Sequence, residues 1–197
     1  MALIDDLLNL VARPAETTLG ATALRNAVTY LHKTGFYWKD LYEISEPIAT
    51  ANLEIQLALP INFRAWKYIR PKYASGTYGP LLTRIEPEQA FATIDRAQTQ
   101  TLQQDVYYNA GLNCNLRLSR SVVGVLIAYY GLPKTALANY TDTDWLCIQY
   151  PNLVLNQAAA YIYTVLENEA LASVYSRLAA QELQQLMINE CIDEVGP

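Results

Sequence analysis

The sequence has one histidine, His32, and three widely separated cysteines. A histidine-centred catalytic triad would have to use His32, which we expect near the end of a helix, where a cation interacts favourably with the helix dipole. The three cysteines are odd in number and contain no C-x-x-C spacing, which argues against a disulfide framework and against a zinc site. We therefore expect Cys114, Cys147 and Cys191 to be free thiols in a reducing compartment.

Sequence motifs of the common enzyme classes are also missing. No serine lies in a G-x-S-x-G motif, and residues 76–79 lack the lysine that a phosphate-binding loop requires. Glu167 and Glu169 are two residues apart on a predicted helix and so point to different faces. Asp142 and Asp144 are better explained as helix caps than as an acid and base pair. The sequence predicts a protein without enzymatic activity, cofactor or metal.

Long apolar runs and a basic N-terminus are lacking as well. Asp5 and Asp6 lie where a secretory signal would carry basic residues, and no apolar run approaches the roughly 18 residues of a membrane span. We therefore expect a protein that is not exported and has no membrane partner. The hydrophobic fraction of 52% and the charged fraction of 17% are typical of a folded chain.

Charge and aromatic content are unevenly distributed. Residues 1–60 hold four Lys/Arg and seven Asp/Glu, residues 61–140 hold nine and four, and residues 141–197 hold one and eight. Three interpretations of this pattern stay open. The basic middle segment contacts nucleic acid, patches of opposite charge meet between neighbouring copies, or the solvated surface is simply uneven in charge. Fifteen tyrosines against three phenylalanines favour surfaces that are wet before assembly and buried after it.

Helical periodicity dominates both ends of the chain. It predicts a first helix that ends at Pro14 and a second that Thr17 caps and Gly35 closes. After a short helix near Trp145, Pro151 fits the first turn of a long helix with a bend or break near Asn168. One face of this long helix is expected to carry the main packing, through Leu155, Ala159, Ile162, Leu166, Ala170, Leu171, Val174, Leu178, Leu183 and Leu186.

The hydrophobic period changes to two in the middle of the chain. Alternation over residues 53–59 predicts a strand, and residues 62–70 predict a second. Residues 71–80 are expected to form a long, mobile loop. The remaining predictions are a short helix from Pro87, with Ala90, Phe91 and Ile94 on its inner face, and a closing meander of strands over 106–109, 112–118 and 122–130.

These segments predict an α+β fold. The N- and C-terminal helices, residues 1–50 and 136–190, form a helical platform into which an antiparallel β-rich lobe, residues 51–135, is inserted. The tail, residues 191–197, is acidic and has no apolar period, so we expect it to be flexible in the isolated subunit.

Several short motifs follow one another in a characteristic order: Leu59-Pro60-Ile61-Asn62-Phe63, Glu86-Pro87-Glu88, Tyr107-Tyr108, Leu116 to Leu118, Tyr129-Tyr130, Asp144-Trp145-Leu146 and Tyr150-Pro151. In this order, from residue 60 to residue 186, the chain resembles the head-to-tail adaptor (tail accessory, or head completion) proteins of tailed phages. The tyrosine-rich loop at residues 72–78 departs from the family pattern.

The resemblance implies a structural virion protein. Adaptors of this family form a ring beneath the portal, most often a dodecamer, complete the head and contact tail, nozzle or fibre proteins. The implied partners are the portal, a tail-side protein and further copies of the chain, with DNA passing through the channel without sequence-specific binding. The implied location is the virion neck, after synthesis in the host cytoplasm. Candidate interface residues are Lys72, Tyr73, Tyr78, Arg117 and Arg120 in the lobe and Asp193 and Glu194 in the tail.

Two other functions stay open on the sequence alone. One is a different neck component, such as a tail terminator. The other is a small-molecule-binding or enzymatic α+β domain that uses the aromatic cluster around Tyr37 and Trp38.

Overall fold

The computed structural model of the chain describes residues 3–48, 53–89, 105–133 and 144–191. These residues form helices and antiparallel-rich sheets, which confirms the predicted α+β class. The chain divides into a helical unit, Met1–Asp40 with Leu132–Glu194, and a β-rich unit, Leu41–Gly131. The chain therefore leaves the helical unit after Asp40 and returns to it at Leu132.

The described part of the helical unit contains α1 (Leu3–Leu10), α2 (Thr17–Thr34), α3 (Trp145–Gln149), α4 (Pro151–Val165) and α5 (Glu169–Glu190), with a 3₁₀ turn at Trp38–Asp40. Helix α2 packs against α4, and α1 packs against both. Their shared core is apolar and almost fully covered. Its fully buried members include Leu7, Ala23, Val28, Leu31, Tyr37, Leu146, Val154, Ala158 and Ala159.

The helix boundaries agree with the sequence in most places. Gly35 follows α2, and Pro151 lies in the first turn of α4, as predicted. Asp144 caps α3, because its Oδ1 accepts a hydrogen bond from the Leu146 N–H at 2.9 Å. The prediction that Thr17 caps α2 is wrong, since Thr17 is already helical and Glu16 occupies the cap position without a side-chain hydrogen bond.

The long C-terminal helix is divided near Asn168, as predicted. Helix α4 ends at Val165, Glu167 adopts a left-handed conformation with φ of 55°, and Asn168 caps α5 by accepting a hydrogen bond from the Leu171 N–H at 3.2 Å. The prediction that the same face stays buried throughout is wrong for the first half of α5. Its apolar side chains are partly exposed there: Leu171 38%, Val174 42% and Leu178 39%.

The β-rich unit contains seven strands in its described residues: β1 (Leu41–Pro47), β2 (Glu54–Ala58), β3 (Phe63–Lys72), β4 (Thr83–Arg84), β5 (Val106–Ala110), β6 (Asn113–Arg117) and β7 (Gly124–Gly131). One sheet has the order β1-β7-β3 and the other β2-β6-β5-β4, with only the short β4–β5 pair parallel. The predicted hairpin is confirmed as β5 and β6, joined at Gly111, which has a positive φ of 62°. The core of this unit includes Ile69, Cys114, Leu116, Leu118, Val125, Ile127 and Tyr129.

Two predictions about the strands are wrong. Residues 41–47, placed by the sequence in the helical platform, form β1, and β7 pairs with β1 and β3 instead of closing a meander beside β6. All residues of β7 except Leu126 are buried. A strand covered on both faces has no alternating pattern, so its sequence does not identify its neighbours.

Some predictions fall at the edge of the described residues. Residues 87–89 are helical, in agreement with a helix start at Pro87. Ala90, Phe91 and Ile94 lie outside the described residues, as does Asp142. Cys191, the first residue of the predicted tail, forms an isolated β-bridge with Tyr37, whereas residues 192–197 lie outside the described part of the chain.

Candidate functional site

His32 lies in the last turn of α2 and is completely buried. Its Nδ1 atom is 2.7 Å from Asp40 Oδ2, and its Nε2 atom is 2.9 Å from Asp144 Oδ2. An ionised carboxylate only accepts hydrogen bonds, so two carboxylates require both ring nitrogens to donate. The geometry therefore describes an imidazolium between two carboxylates.

The pKa of His32 agrees with this geometry. Burial acts to lower it, but the hydrogen bonds from the imidazole to Asp144 and Asp40, together with the two negative charges, raise the pKa from 6.5 to about 9. A second hydrogen bond orients each carboxylate. Trp145 Nε1 donates to Asp40 Oδ1 at 2.9 Å, and the Leu146 N–H donates to Asp144 Oδ1.

The buried ion cluster, defined as His32, Asp40 and Asp144, joins the N-terminal and C-terminal segments of the helical unit. Asp40 is the last residue of the helical unit before β1, and Asp144 is the first described residue before α3. The expected place of His32 near the end of a helix is confirmed, and its charge is in addition buried and paired with two carboxylates. Because Asp144 is 112 residues away, sequence spacing gave no signal for the pair.

This cluster is arranged for structure rather than for catalysis. Both imidazole nitrogens are engaged, and the ring has no exposed surface on which a substrate could sit. A general base needs a free nitrogen within hydrogen-bond reach of the proton that it removes. Within residues 3–48, 53–89, 105–133 and 144–191, no group of three or more His, Cys, Asp and Glu side chains is placed to hold a metal ion.

The aromatic residues Tyr37 and Trp38 do not line a common cavity. Tyr37 is fully buried, its hydroxyl donates to the Leu31 carbonyl oxygen at 3.1 Å, and its ring meets the edge of Trp145 at 5.4 Å. Trp38 is 57% exposed. Tyr37 is thus a core residue, and the arrangement lends no support to a ligand cage.

A cleft of about 200 Å³ lies beside the start of α4, lined by Gln149, Tyr150, Pro151, Asn152, Leu153, Glu182 and Gln185. Burial raises the pKa of Glu182, and its Oε2 atom is covered. Small-molecule sites usually occupy about 300–1,000 Å³. The cleft is smaller than that range and contains no nucleophile beside a base, so it gives little support to an enzymatic function.

The β-rich unit carries a cationic-aromatic cluster, defined as Arg70, Lys72, Tyr73, Tyr78 and Arg120. The Arg120 guanidinium carbon is 4.4 Å from the centre of the Tyr73 ring. Lys72 Nζ and the Arg70 guanidinium carbon are each 5.7 Å from the centre of the Tyr78 ring. These distances are typical of cation–π contacts, which favour these positions of the cations.

Backbone hydrogen bonds explain why these side chains converge. The predicted long loop is instead a closed turn after β3, in which the Tyr73 N–H donates to the Thr77 carbonyl oxygen at 3.0 Å and Lys72 forms a β-bridge with Tyr78. The Val123 N–H donates to the Lys72 carbonyl oxygen at 2.8 Å, which brings the segment containing Arg120 alongside.

Gly79 closes this turn tightly. A Cβ atom there would lie 2.5 Å from Tyr73 Oη and 2.7 Å from Pro71 Cγ, so a side chain would displace Tyr73. The turn is therefore built to hold the Tyr73 ring against Arg120.

Four of the seven predicted interface residues lie in this cluster: Lys72, Tyr73, Tyr78 and Arg120. Arg117 does not lie in this cluster. It lies opposite Glu54 in the β2–β6 pair, its side chain is buried, and its Nε donates to Glu54 Oε1 at 3.1 Å. The charge of Arg117 is thus paired with a carboxylate of the neighbouring strand within the β-rich unit. Asp193 and Glu194 lie outside the described residues.

The net positive charge of the β-rich unit is smaller than the basic segment 61–140 of the sequence indicates. The β-rich unit, Leu41–Gly131, holds eight Lys/Arg and seven Asp/Glu, because β1 and β2 add Glu43, Glu46 and Glu54. The helical unit, Met1–Asp40 with Leu132–Glu194, holds six and twelve. The β-rich unit is therefore close to neutral as a whole, with three of its eight cations in the cationic-aromatic cluster, whereas the helical unit is acidic.

No known protein family and no curated protein matches the sequence. In the described ranges, none of the helices combines the length and the apolar character needed to cross a membrane.

Proposed function

We propose that this protein is a structural component of a tailed-phage virion, a head-to-tail adaptor that forms a ring beneath the portal, completes the head and connects it to the tail. The observation that carries the proposal is the motif order described above, on a chain whose β-rich unit interrupts a helical unit. A helical platform interrupted by a β-rich lobe is the architecture that the resemblance implies.

The surface chemistry supports an assembly role. A closed ring of identical subunits needs two different, complementary faces on each copy. The acidic helical unit and the cationic-aromatic cluster provide surfaces of opposite charge. The first half of α5 adds a partly exposed apolar stripe at Leu171, Val174 and Leu178, which a partner can cover.

The interior of the helical unit favours the same conclusion over an enzymatic one. The single histidine forms a buried ion cluster with both nitrogens engaged, and Tyr37 lies in the core. These residues were the best candidates for catalysis or ligand binding in the sequence, and their contacts are those of structural residues.

The proposal includes specific partners and a location. The portal is the head-side partner, to which we assign the acidic tail with Asp193 and Glu194, and a tail, nozzle or fibre protein is the partner on the other side. Copies of the chain form the ring, expected to be dodecameric, and DNA passes through it without sequence-specific binding. The protein is made in the host cytoplasm and resides in the neck of the virion.

Binding to the portal tests the proposal in solution. We expect purified protein to cosediment with assembled portal rings from the same phage at a ratio near one chain per portal subunit, measured by analytical ultracentrifugation. Portal rings from an unrelated phage serve as the control and should leave the protein unbound. Binding to tail tubes but not to portal rings would instead identify a tail terminator and contradict the adaptor assignment.

A further inference from the structure

We propose that the cationic-aromatic cluster binds the acidic corner of a second copy of this chain, where the acidic corner denotes the exposed Glu167 and Glu169 at the junction of α4 and α5. The inference rests on the proposed function in one respect, since it identifies the contact between neighbouring subunits of the ring. The contact itself is a property of the chain and can be measured without a portal.

The cluster is preorganised for an anion. Among the described residues, none of Arg70, Lys72 and Arg120 has a carboxylate oxygen within 4.0 Å, although Arg13, Lys39 and Arg117 each have one. The Arg120 guanidinium carbon lies 4.4 Å from the centre of the Tyr73 ring, and the Arg120 residue is exposed. A stacked guanidinium loses little freedom when it binds a carboxylate in bidentate fashion.

The ligand chemistry favours a protein surface over a nucleic acid. Sequence-tolerant binding of single strands uses free aromatic faces on which bases stack. Here cations already lie over the rings of Tyr73 and Tyr78. Three cations also make few phosphate contacts, and the affinity for nucleic acid depends on their number.

The acidic corner has the complementary composition. Glu167 and Glu169 are both exposed, and neither has an ion-pair partner within 4.0 Å in the described part of the chain. The left-handed conformation of Glu167 and the cap at Asn168 make the corner a defined turn. The partly exposed Leu171 and Val174 follow directly. Carboxylates beside apolar surface complement cations beside tyrosine rings in both charge and apolar contact, and tyrosine and arginine are enriched at interfaces.

The two surfaces are different, so their contact is heterologous. Each copy offers a cluster to one neighbour and a corner to another, and such a contact repeats head to tail until it closes into a ring or continues as an open chain. This is the type of contact that a ring of identical subunits requires.

Charge reversal on each side provides the test. The cluster variant is Lys72→Glu with Arg120→Glu, and the corner variant is Glu167→Lys with Glu169→Lys. The control, Arg25→Glu with Arg84→Glu, changes net charge as the cluster variant does, at exposed positions outside both surfaces. Circular dichroism and melting temperature establish that each variant is folded, and sedimentation velocity at low salt and increasing protein concentration measures self-association.

We expect the wild type and the control to self-associate at high protein concentration and low salt, and each reversed variant alone to weaken association at least tenfold. An equimolar mixture of the two reversed variants should restore it, because every cluster then meets a corner of opposite charge. A wild type that stays monomeric, a cluster variant that associates normally, or a mixture that does not recover would each overturn the proposal. Cluster-dependent binding of a DNA oligonucleotide without self-association would also overturn it and assign the surface to nucleic acid.

Failure of this contact and failure of the adaptor function are distinguishable. Portal binding with no salt-dependent self-association would retain the adaptor and remove the contact, whereas restored association without portal binding would retain the contact alone.

Discussion

Replacing His32 with leucine should destabilise the helical unit by about 3–5 kcal/mol, the usual cost of leaving buried charge without its partner. The substitution removes the cation that separates Asp40 from Asp144, whose oxygens lie 2.7 and 2.9 Å from the two imidazole nitrogens. Two buried carboxylates would then face each other across an apolar side chain. Guanidinium-induced unfolding, followed by circular dichroism at a helix-sensitive wavelength, measures the change.

Two controls separate the charge effect from the loss of packing. Arg25→Leu, on an exposed position of the same helix, should change the free energy of unfolding little. The triple variant His32→Leu, Asp40→Asn and Asp144→Asn should recover much of the loss, because it removes the unpaired charges. Both asparagines keep an oxygen that can accept the hydrogen bonds from Trp145 Nε1 and the Leu146 N–H. If His32→Leu is as stable as the wild type, the buried ion cluster is not a stabilising element.

The free energy of unfolding should also fall with rising pH, by about 3 kcal/mol in all, since each unit of pKa difference corresponds to about 1.36 kcal/mol. His32 holds its proton up to a pKa of about 9 in the folded chain, against 6.5 for an ordinary histidine. Its contribution is therefore fully present below pH 6.5 and is lost as the pH rises through 9.

Denaturation between pH 6 and pH 9 measures this dependence. Burial raises the pKa of Cys114 and of Cys147 to about 12, so thiol ionisation in the unfolded chain adds its own loss near and above pH 9. The triple variant, which lacks the histidine, should show a flat profile between pH 6.5 and 8.5. A wild-type profile as flat as that of the triple variant would mean that His32 is neutral in the folded protein.

Local patterns in the sequence predict much of the fold. Alternation identifies β2 and most of β6, because alternate residues of these strands differ in burial. Turn and cap residues identify the ends of helices, as at Gly35 and Pro151. Each of these signals depends on residues within a few positions of one another.

Features that depend on distant residues are harder to predict. Strand β7 lies between β1 and β3, and its nearly continuous burial removes the alternation that would reveal its neighbours. The apolar period of α5 resembles that of a buried helix, although Leu171 and Val174 remain partly exposed in the isolated subunit. A helix whose apolar stripe is covered by a partner protein has the same hydrophobic period as a helix whose stripe is buried within its own subunit.

The candidate sites also differ in whether neighbouring or distant residues in the sequence form them. Composition pointed to Lys72, Tyr73, Tyr78 and Arg120, because cations and tyrosines concentrate in that part of the chain. The buried ion cluster was not predictable, since Asp144 meets His32 only after the chain has passed through the whole β-rich unit. The pairing of Arg117 with Glu54 was not predicted either, since the two residues lie 63 positions apart and meet only across the β2–β6 pair.

The location of the chain in the particle tests the adaptor function most directly. Cryo-electron microscopy of virions, with reconstruction of the neck at side-chain resolution, should show this chain as a ring directly below the portal. The helical unit and the β-rich unit should each be recognisable in every copy of that ring. Density for the chain only at the tail-tube end or elsewhere in the particle, or virions that lack the chain altogether, would contradict the account.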